Sequence, residues 1–459
     1  MDYSAANASM WAFIIEIGII AGALMVSNML RRRIPLFRKM LMPISVLAGF
    51  LLLILKVTGV YHPDNEMLEM LVFHSIALGF IAMSLRTREQ VATTGSRVTG
   101  LKSGAIIVAT YVVQALAGLL ITISLAYTFM PDMFMAAGLL LPMGFGQGPG
   151  QANNVGTSYQ ALGFAGGHSF GLAIAAAGYI CACTVGIVML NRWSRKGLLR
   201  SGDKDKETEN ISSAYFQDHN EIPVSDSIDR FSVQAAMVLL VYLATFLVTW
   251  GLTSGISAIS EGLANTLNSL LWGFNFIIGS AIALLTRSVL ENCRKKKLIT
   301  RQYQNNYLLN RISGICFDLM IVAGIAAINP EEIKGLWVPF VLMAVAGGLV
   351  TWLFLRVVCK HVYGEYYREG LISMYGMLTG TIGSGILLLR EIDPEMQTPA
   401  ANNLVIGSSY GIILGAPLLI LISLAAKSAA LCFLVVGLAI IYLALLLGII
   451  YKVGAKKKQ

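Results

Sequence analysis

The sequence contains a glycine-rich run, Met143-Gly144-Phe145-Gly146-Gln147-Gly148-Pro149-Gly150-Gln151. A second run in the C-terminal half reads Leu378-Thr379-Gly380-Thr381-Ile382-Gly383-Ser384-Gly385. Each run interrupts an apolar stretch, at 133–152 and 371–389, and in an alignment of the two runs Gly148 and Gly150 match Gly383 and Gly385. Because glycine permits unwound backbone, these stretches are predicted to break instead of crossing a membrane as ordinary helices.

The composition around these runs is that of a membrane protein. Of the 459 residues, 56% are hydrophobic and 13% are charged, and the mean hydropathy is +0.70. A soluble domain would carry about 25% charged residues. The net charge of +9 is attributed to loops that set membrane orientation, so the lipid bilayer is the expected partner and nucleic acid is not.

Eleven apolar segments have the length of membrane-spanning helices. They lie at 11–30, 41–60, 68–85, 104–129, 166–190, 231–253, 268–290, 307–329, 336–358, 403–425 and 429–451. The predicted fold class is therefore an all-α polytopic membrane protein with about eleven transmembrane helices.

The distribution of Lys and Arg predicts the orientation. With the N-terminus outside and both glycine-rich stretches re-entrant, the basic clusters at 31–39, 86–102, 192–200, 294–301 and 456–458 all fall inside. The outside receives little beyond Lys56, Lys334 and Lys427. This bias predicts a cytoplasmic C-terminus and is lost if either stretch crosses fully.

The two halves of the chain repeat one pattern. Residues 1–190 and 231–427 each hold five spans, with the glycine-rich stretch between the fourth and the fifth. Because five is odd, the second half starts on the opposite face, which predicts an inverted repeat. A polar cytoplasmic linker at 191–230 separates the halves, and 428–459 adds one helix and a basic tail.

Two broken segments entering from opposite faces predict a binding site near the membrane midplane. The tips supply neutral ligands and backbone that a substrate can approach closely. The candidate substrate-binding residues are Gly146, Gln147, Gly148, Gly150, Gln151, Thr379, Thr381, Gly383, Ser384 and Gly385. The candidate ion-binding residues are Asn153, Asn154, Asp318, Asn402 and Asn403, with Na⁺ as the only metal and no other cofactor.

These features resemble the glutamate:sodium symporter family. The resemblance is carried by Leu141-Pro142-Met143-Gly144-Phe145-Gly146, by the paired glycine-rich loops, and by the stretch from Thr379 to Ala400. It implies Na⁺-coupled uptake of L-glutamate across a bacterial inner membrane, an elevator-like motion and a homodimer. The family's Gly-His-Gly-Thr element is replaced here by Gly148-Pro149-Gly150-Gln151, which leaves the substrate open.

Several alternatives remain open at this point. A carrier for another small carboxylate, proton coupling through Asp318, or a channel would also fit a polytopic protein. An enzyme is not expected, because the sequence has no HExxH or GxSxG motif and only five His. Among single residues, His74 is expected to be a satisfied core histidine, and Arg287 is expected to extend from a helix end to water.

Overall fold

The computed structural model describes residues 4, 7–39, 42–87, 94–196, 230–259, 271–272, 275–299, 301–393 and 398–453. These residues form helices and no β-strand. The α-helices are α1 Ala8–Arg33, α2 Pro35–Lys39, α3 Ile44–Val57, α4 Asn65–Leu85, α5 Thr94–Ala126, α6 Leu140–Gln147, α7 Pro149–Ala161, α8 Gly167–Arg195, α9 Arg230–Ile259, α10 Asn275–Lys295, α11 Asn306–Ala327, α12 Trp337–Tyr363, α13 Tyr367–Leu378, α14 Ile382–Arg390, α15 Ala400–Ala425 and α16 Ala429–Lys452.

The chain is a multi-pass membrane protein. Ten helical stretches in the described residues are long and apolar enough to cross a bilayer, where the sequence predicted eleven. The difference is α3, whose 14 residues extend about 21 Å, short of the roughly 30 Å hydrocarbon layer. Pro43 precedes α3, and Gly59 follows it with φ +73°, so the predicted span at 41–60 is wrong in length.

Local sequence explains where several helices begin and end. The Asp64 carboxylate accepts hydrogen bonds from the backbone N–H groups of Glu66 and Met67 at 3.1 and 3.3 Å, which starts α4. Ser428 accepts from the Leu431 N–H at the start of α16. At the other end of a span, Gly364 takes φ +52° directly after α12, a conformation that glycine adopts without strain.

The helices divide into two compact units, and the division falls inside α4 and α11. The first unit comprises Met1–Leu68, Val91–Gly202 and Ile321–Gln459. The second comprises Glu69–Gln90 and Asp203–Met320. Each unit thus takes segments from both halves of the sequence. The predicted linker lies outside the described residues from 197 to 229, and 191–195 continue α8.

The second unit packs α4, α9, α10 and α11 around buried apolar side chains, including Ile81, Val238 and Ala283. Arg287 of α10 donates to the carbonyl oxygens of Ser84 and Arg86 at 3.4 and 3.1 Å. The expectation that Arg287 extends to water is therefore wrong, because a carbonyl in the last turn of α4 and one just beyond that helix accept hydrogen bonds from its guanidinium.

His74 is also in the second unit, on α4. Its side chain is exposed, and Nδ1 lies 2.6 Å from the Tyr242 hydroxyl. The ring therefore has a hydrogen-bond partner, as expected, but it lies on the surface of the chain and not in its core.

The first unit contains the same succession of elements twice. A long helix, α5 or α12, leads through a 3₁₀ turn into a short helix, α6 or α13. After a break, a second short helix, α7 or α14, leads to another long helix, α8 or α15. Both breaks fall within the glycine-rich runs, at Gly148 and at residues 379–381.

Candidate functional site

The first break joins α6 and α7 into a helical hairpin that packs on α8. A Cβ built on Gly171 of α8 would lie 2.5 Å from the Ala152 carbonyl oxygen and 3.5 Å from Cδ2 of Leu140. Gly171 thus contacts both arms of the hairpin, although Leu140 and Ala152 are twelve positions apart in the sequence. The arms therefore run side by side, with the turn at Gly148.

The second break forms a tighter hairpin from α13 and α14. A Cβ on Gly385 would lie 2.4 Å from the Ser373 carbonyl oxygen, and one on Gly376 would lie 2.8 Å from Gly385 Cα. At these distances the backbones of α13 and α14 are in direct contact, so a side chain at either Gly376 or Gly385 would push the two arms apart. The role of Gly385 in the structure is this packing.

The two hairpins lie end to end along α8. The first meets α8 at Gly171, and the second meets it at Gly186, where Leu388 Cδ1 would lie 2.8 Å from an added Cβ. Between them, a Cβ on Gly178 would be 2.5 Å from the Thr379 carbonyl oxygen and 3.3 Å from Phe145 Cα. Gly178 is near the middle of α8, so both tips reach the centre of a spanning helix.

Helix α15 repeats this arrangement on another side of the hairpins. Near its start, Leu404 Cδ1 would lie 3.3 Å from a Cβ on Gly385 of the second hairpin. Near its end, the Ile422 carbonyl accepts a hydrogen bond from the Tyr159 hydroxyl of the first hairpin at 2.9 Å. The hairpins are therefore held between two long helices, each of which contacts both of them.

The tips approach each other at Gly148. This residue has φ +85° and ψ −175°, a backbone conformation available to glycine and strained for other residues. A Cβ on Gly148 would lie 3.8 Å from the Gly380 carbonyl oxygen, from Thr381 Cγ2 and from the Tyr179 hydroxyl. The site is thus formed by both glycine-rich runs and by the middle of α8.

A buried glutamine on α5 ties the second tip to its surroundings. Gln114 donates from Nε2 to the Leu378 carbonyl at 2.9 Å and to the Thr351 hydroxyl of α12 at 2.7 Å. Its Oε1 would lie 3.2 Å from a Cβ on Gly146 of the first hairpin. Sequence reasoning missed Gln114, although a fully buried amide within an apolar span is costly and is itself a signal.

Four buried side-chain oxygens, three in the hairpins near the tips and one on α5 beside the first hairpin, have no hydrogen-bond partner among the described residues. They are Gln114 Oε1, Gln151 Oε1, Asn153 Oδ1 and Ser384 Oγ. All four side chains are at most 4% exposed. A buried polar group without a partner costs about 1–3 kcal/mol, so this concentration at one place indicates a site that binds a ligand, an ion or water.

The electrostatics of the site come from helix ends, because 133–152 and 371–389 contain no charged residue. Helices α7 and α14 begin at the tips, where a helix carries partial positive charge and free N–H groups suited to an anion. Helices α6 and α13 end there, with partial negative charge and carbonyl oxygens suited to a cation. Both kinds of charge can therefore be bound without an ionised side chain.

The structure separates the glycines that the sequence treated alike. A Cβ on Gly383, which is exposed, would have Thr381 Oγ1 at 3.5 Å as its nearest contact, so a side chain fits there. Position 383 opens outward from the hairpin, and its predicted role in substrate binding stays a prediction. Gly148 is required for its backbone conformation, and Gly385 for packing.

The remaining candidate residues have different surroundings. Gly150 and Asn154 are buried in α7, and Gln147 is half-buried at the end of α6. Thr379 directly follows α13, and its hydroxyl donates to the Tyr375 carbonyl of that helix at 2.8 Å. Asn402 is half-buried, and Asn403 donates to the Tyr366 hydroxyl at 3.0 Å, away from the tips along α15.

Asp318 is exposed on α11 and belongs to the second unit, whereas the site at the tips is built from the first unit. Its expected role in ion binding stays a prediction.

The fold defines the class of this protein as a multi-pass, all-helical membrane protein, and comparison with known proteins does not narrow that class. No protein-family model matches the chain, and no curated protein is similar to it in sequence.

Proposed function

We propose that this protein is a secondary active transporter that works by alternating access. The observation that carries the proposal is the meeting of two helical hairpins halfway along α8, around buried oxygens that lack partners among the described residues. If α8 spans the bilayer, the hairpins reach its midplane from opposite ends, as in two inverted re-entrant loops. A site at that depth can be opened from either side by moving one hairpin at a time.

The proposed substrate is L-glutamate or a closely related small carboxylate. The N-termini of α7 and α14 offer N–H groups and partial positive charge to a carboxylate. Close to them, the side chains of Gln151, Thr381 and Ser384 can hydrogen-bond an amino acid's polar groups. The identity of glutamate rests on the family resemblance, and Gly148-Pro149-Gly150-Gln151 in place of Gly-His-Gly-Thr makes a different carboxylate the first alternative.

The proposed coupling ion is Na⁺. A hard cation prefers oxygen ligands, and the site offers carbonyls at the ends of α6 and α13 and the amide oxygens of Gln114 and Asn153. The family resemblance adds a homodimer, an elevator-like motion and a bacterial inner membrane with the N-terminus outside. These features form part of the proposal.

Uptake by the purified protein in proteoliposomes tests this function directly. Labelled glutamate should accumulate when Na⁺ is higher outside, and it should stop accumulating when choline replaces Na⁺ at the same membrane potential. Uptake that follows a proton gradient in Na⁺-free buffer would instead favour proton coupling through Asp318. Passive flux of ions without substrate accumulation would favour a channel.

Unlabelled dicarboxylates and amino acids added as competitors would then rank the substrates. Efficient competition by a dicarboxylate that lacks an amino group, with none by glutamate, would move the assignment to the alternative substrate class.

A further inference from the structure

A group of basic side chains lies where α12 and α16 end together. Arg356, Lys360 and His361 are exposed on α12, and Lys452 is exposed on α16. The ring of His361 packs against that of Tyr451, with centroids 4.6 Å apart, which joins the two helix ends. The sequence places three more lysines, Lys456, Lys457 and Lys458, beyond the described end of α16.

Arg356 differs from the other members of this group because it lies farther from the end of its helix. It lies seven residues before the end of α12, about 10 Å from it, and therefore close to the edge of the hydrocarbon layer. Its guanidinium does not extend toward the helix end. It stacks over the Trp352 ring one turn earlier, 5.4 Å from the centroid.

The surroundings of Arg356 are apolar and exposed. Leu349, Leu353 and Val357 of the same helix are 53%, 47% and 63% exposed, as expected for a surface covered by lipid. Within the described part of the chain, Arg356, Lys360 and Lys452 make no ion pair. A guanidinium near the hydrocarbon edge is costly without an anion, and the described residues supply none, so this position favours a bound anion.

We propose that Arg356, Lys360 and Lys452 bind the phosphate headgroup of an anionic lipid. Residues 352, 356 and 360 are four apart and share one face of α12, so the indole, the guanidinium and the ammonium line up along the helix. The exposed apolar residues beside them fit acyl chains, and basic groups at the membrane surface attract anionic lipids. The combination of phosphate-binding cations and adjacent apolar surface favours a lipid over a free phosphate.

Native mass spectrometry of the full-length protein in detergent tests the site, with phosphatidylglycerol and phosphatidylcholine of equal chain length as probes. The wild type should retain phosphatidylglycerol in preference to phosphatidylcholine. The Arg356→Gln/Lys360→Gln double variant should weaken phosphatidylglycerol binding by roughly 25-fold, at about fivefold for each basic residue removed. Arg356→Lys, which keeps the charge, should retain most of the binding and shows that the position tolerates substitution.

The matched control is Arg311→Gln/Lys296→Gln. It removes the same charge, and Arg311 also stacks on an aromatic ring, that of Tyr307 at 5.0 Å. This variant should bind phosphatidylglycerol as the wild type does. Equal binding by the wild type and the Arg356 double variant, or an equal loss in the control, would overturn the proposal. Displacement by glycerol phosphate at the lipid's own concentration would assign the site to free phosphate, and a change of oligomer mass alone would assign the surface to a second copy.

Discussion

Replacing Gly148 by alanine separates backbone conformation from steric fit at the first tip. The nearest atoms to the new methyl group would be 3.8 Å away, which is ordinary van der Waals contact. The penalty therefore comes from φ +85° with ψ −175°, a region almost closed to residues with a Cβ. Holding alanine there costs about 1–3 kcal/mol, which corresponds to roughly 5- to 150-fold in an equilibrium constant.

We expect this cost to appear as lower stability, weaker substrate binding or both, because the backbone relieves the strain by moving the tip. Denaturant unfolding of the detergent-solubilised protein, followed by circular dichroism, measures the first, and concentration-dependent uptake measures the second. Gly383→Ala is the control at the other tip, where the new methyl group has no contact closer than 3.5 Å. That variant should match the wild type or gain up to about 1 kcal/mol from helix propensity. The reasoning fails if Gly148→Ala behaves like the wild type, or if Gly383→Ala is equally damaging.

Three further changes address Gln114, Ser384 and Lys56, all in the first unit. Gln114→Leu should destabilise the protein by about 1–3 kcal/mol in the same unfolding assay, because the buried Leu378 carbonyl loses its donor; a stability equal to the wild type would contradict this. Ser384→Ala should raise the half-saturating concentration for substrate or Na⁺ by roughly 2- to 12-fold, the effect of one lost hydrogen bond, with unchanged stability; unchanged uptake would remove Ser384 from the site. Lys56→Met should lower the free energy of unfolding by about 1.5–3 kcal/mol, because the ammonium donates to the last carbonyl of α11, that of Ala327, at 3.3 Å and to the next one, that of Ile328, at 3.0 Å. Lys427→Met removes an exposed lysine and should leave the unfolding midpoint unchanged.

The helices were predictable because hydropathy acts locally. Segments of about 20 apolar residues become spanning helices whatever their neighbours are, and the two glycine-rich runs interrupted that pattern visibly in the sequence. The predicted span at 41–60 failed because Pro43 and Gly59 shorten α3 to 14 residues. These end signals are also local, so the length of α3 is encoded in the sequence next to it.

The partners of individual side chains could not be predicted, since they depend on tertiary distances. Gln114 donates to the carbonyl of Leu378, which is 264 residues away, and the sequence around either residue contains no signal of this pairing. Arg287 was expected to reach water because it lies near a helix end, but it donates to the carbonyls of Ser84 in α4 and of Arg86 just after that helix. The glycines of the two runs look equivalent in the sequence. In the structure, Gly148 is required for its backbone conformation and Gly385 for the packing of the two arms.

The long contacts around the tips have a consequence for biosynthesis. The hydrogen bonds from Tyr159 to Ile422 and from Gln114 to Leu378 join residues 263 and 264 positions apart. When the ribosome has completed the first hairpin, neither α13 nor α15 exists, so the polar groups of Gln114 and Tyr159 lack these partners until the second half is inserted. The first half on its own is therefore an incomplete folding unit, and its survival in the cell depends on how soon the rest of the polypeptide reaches the bilayer.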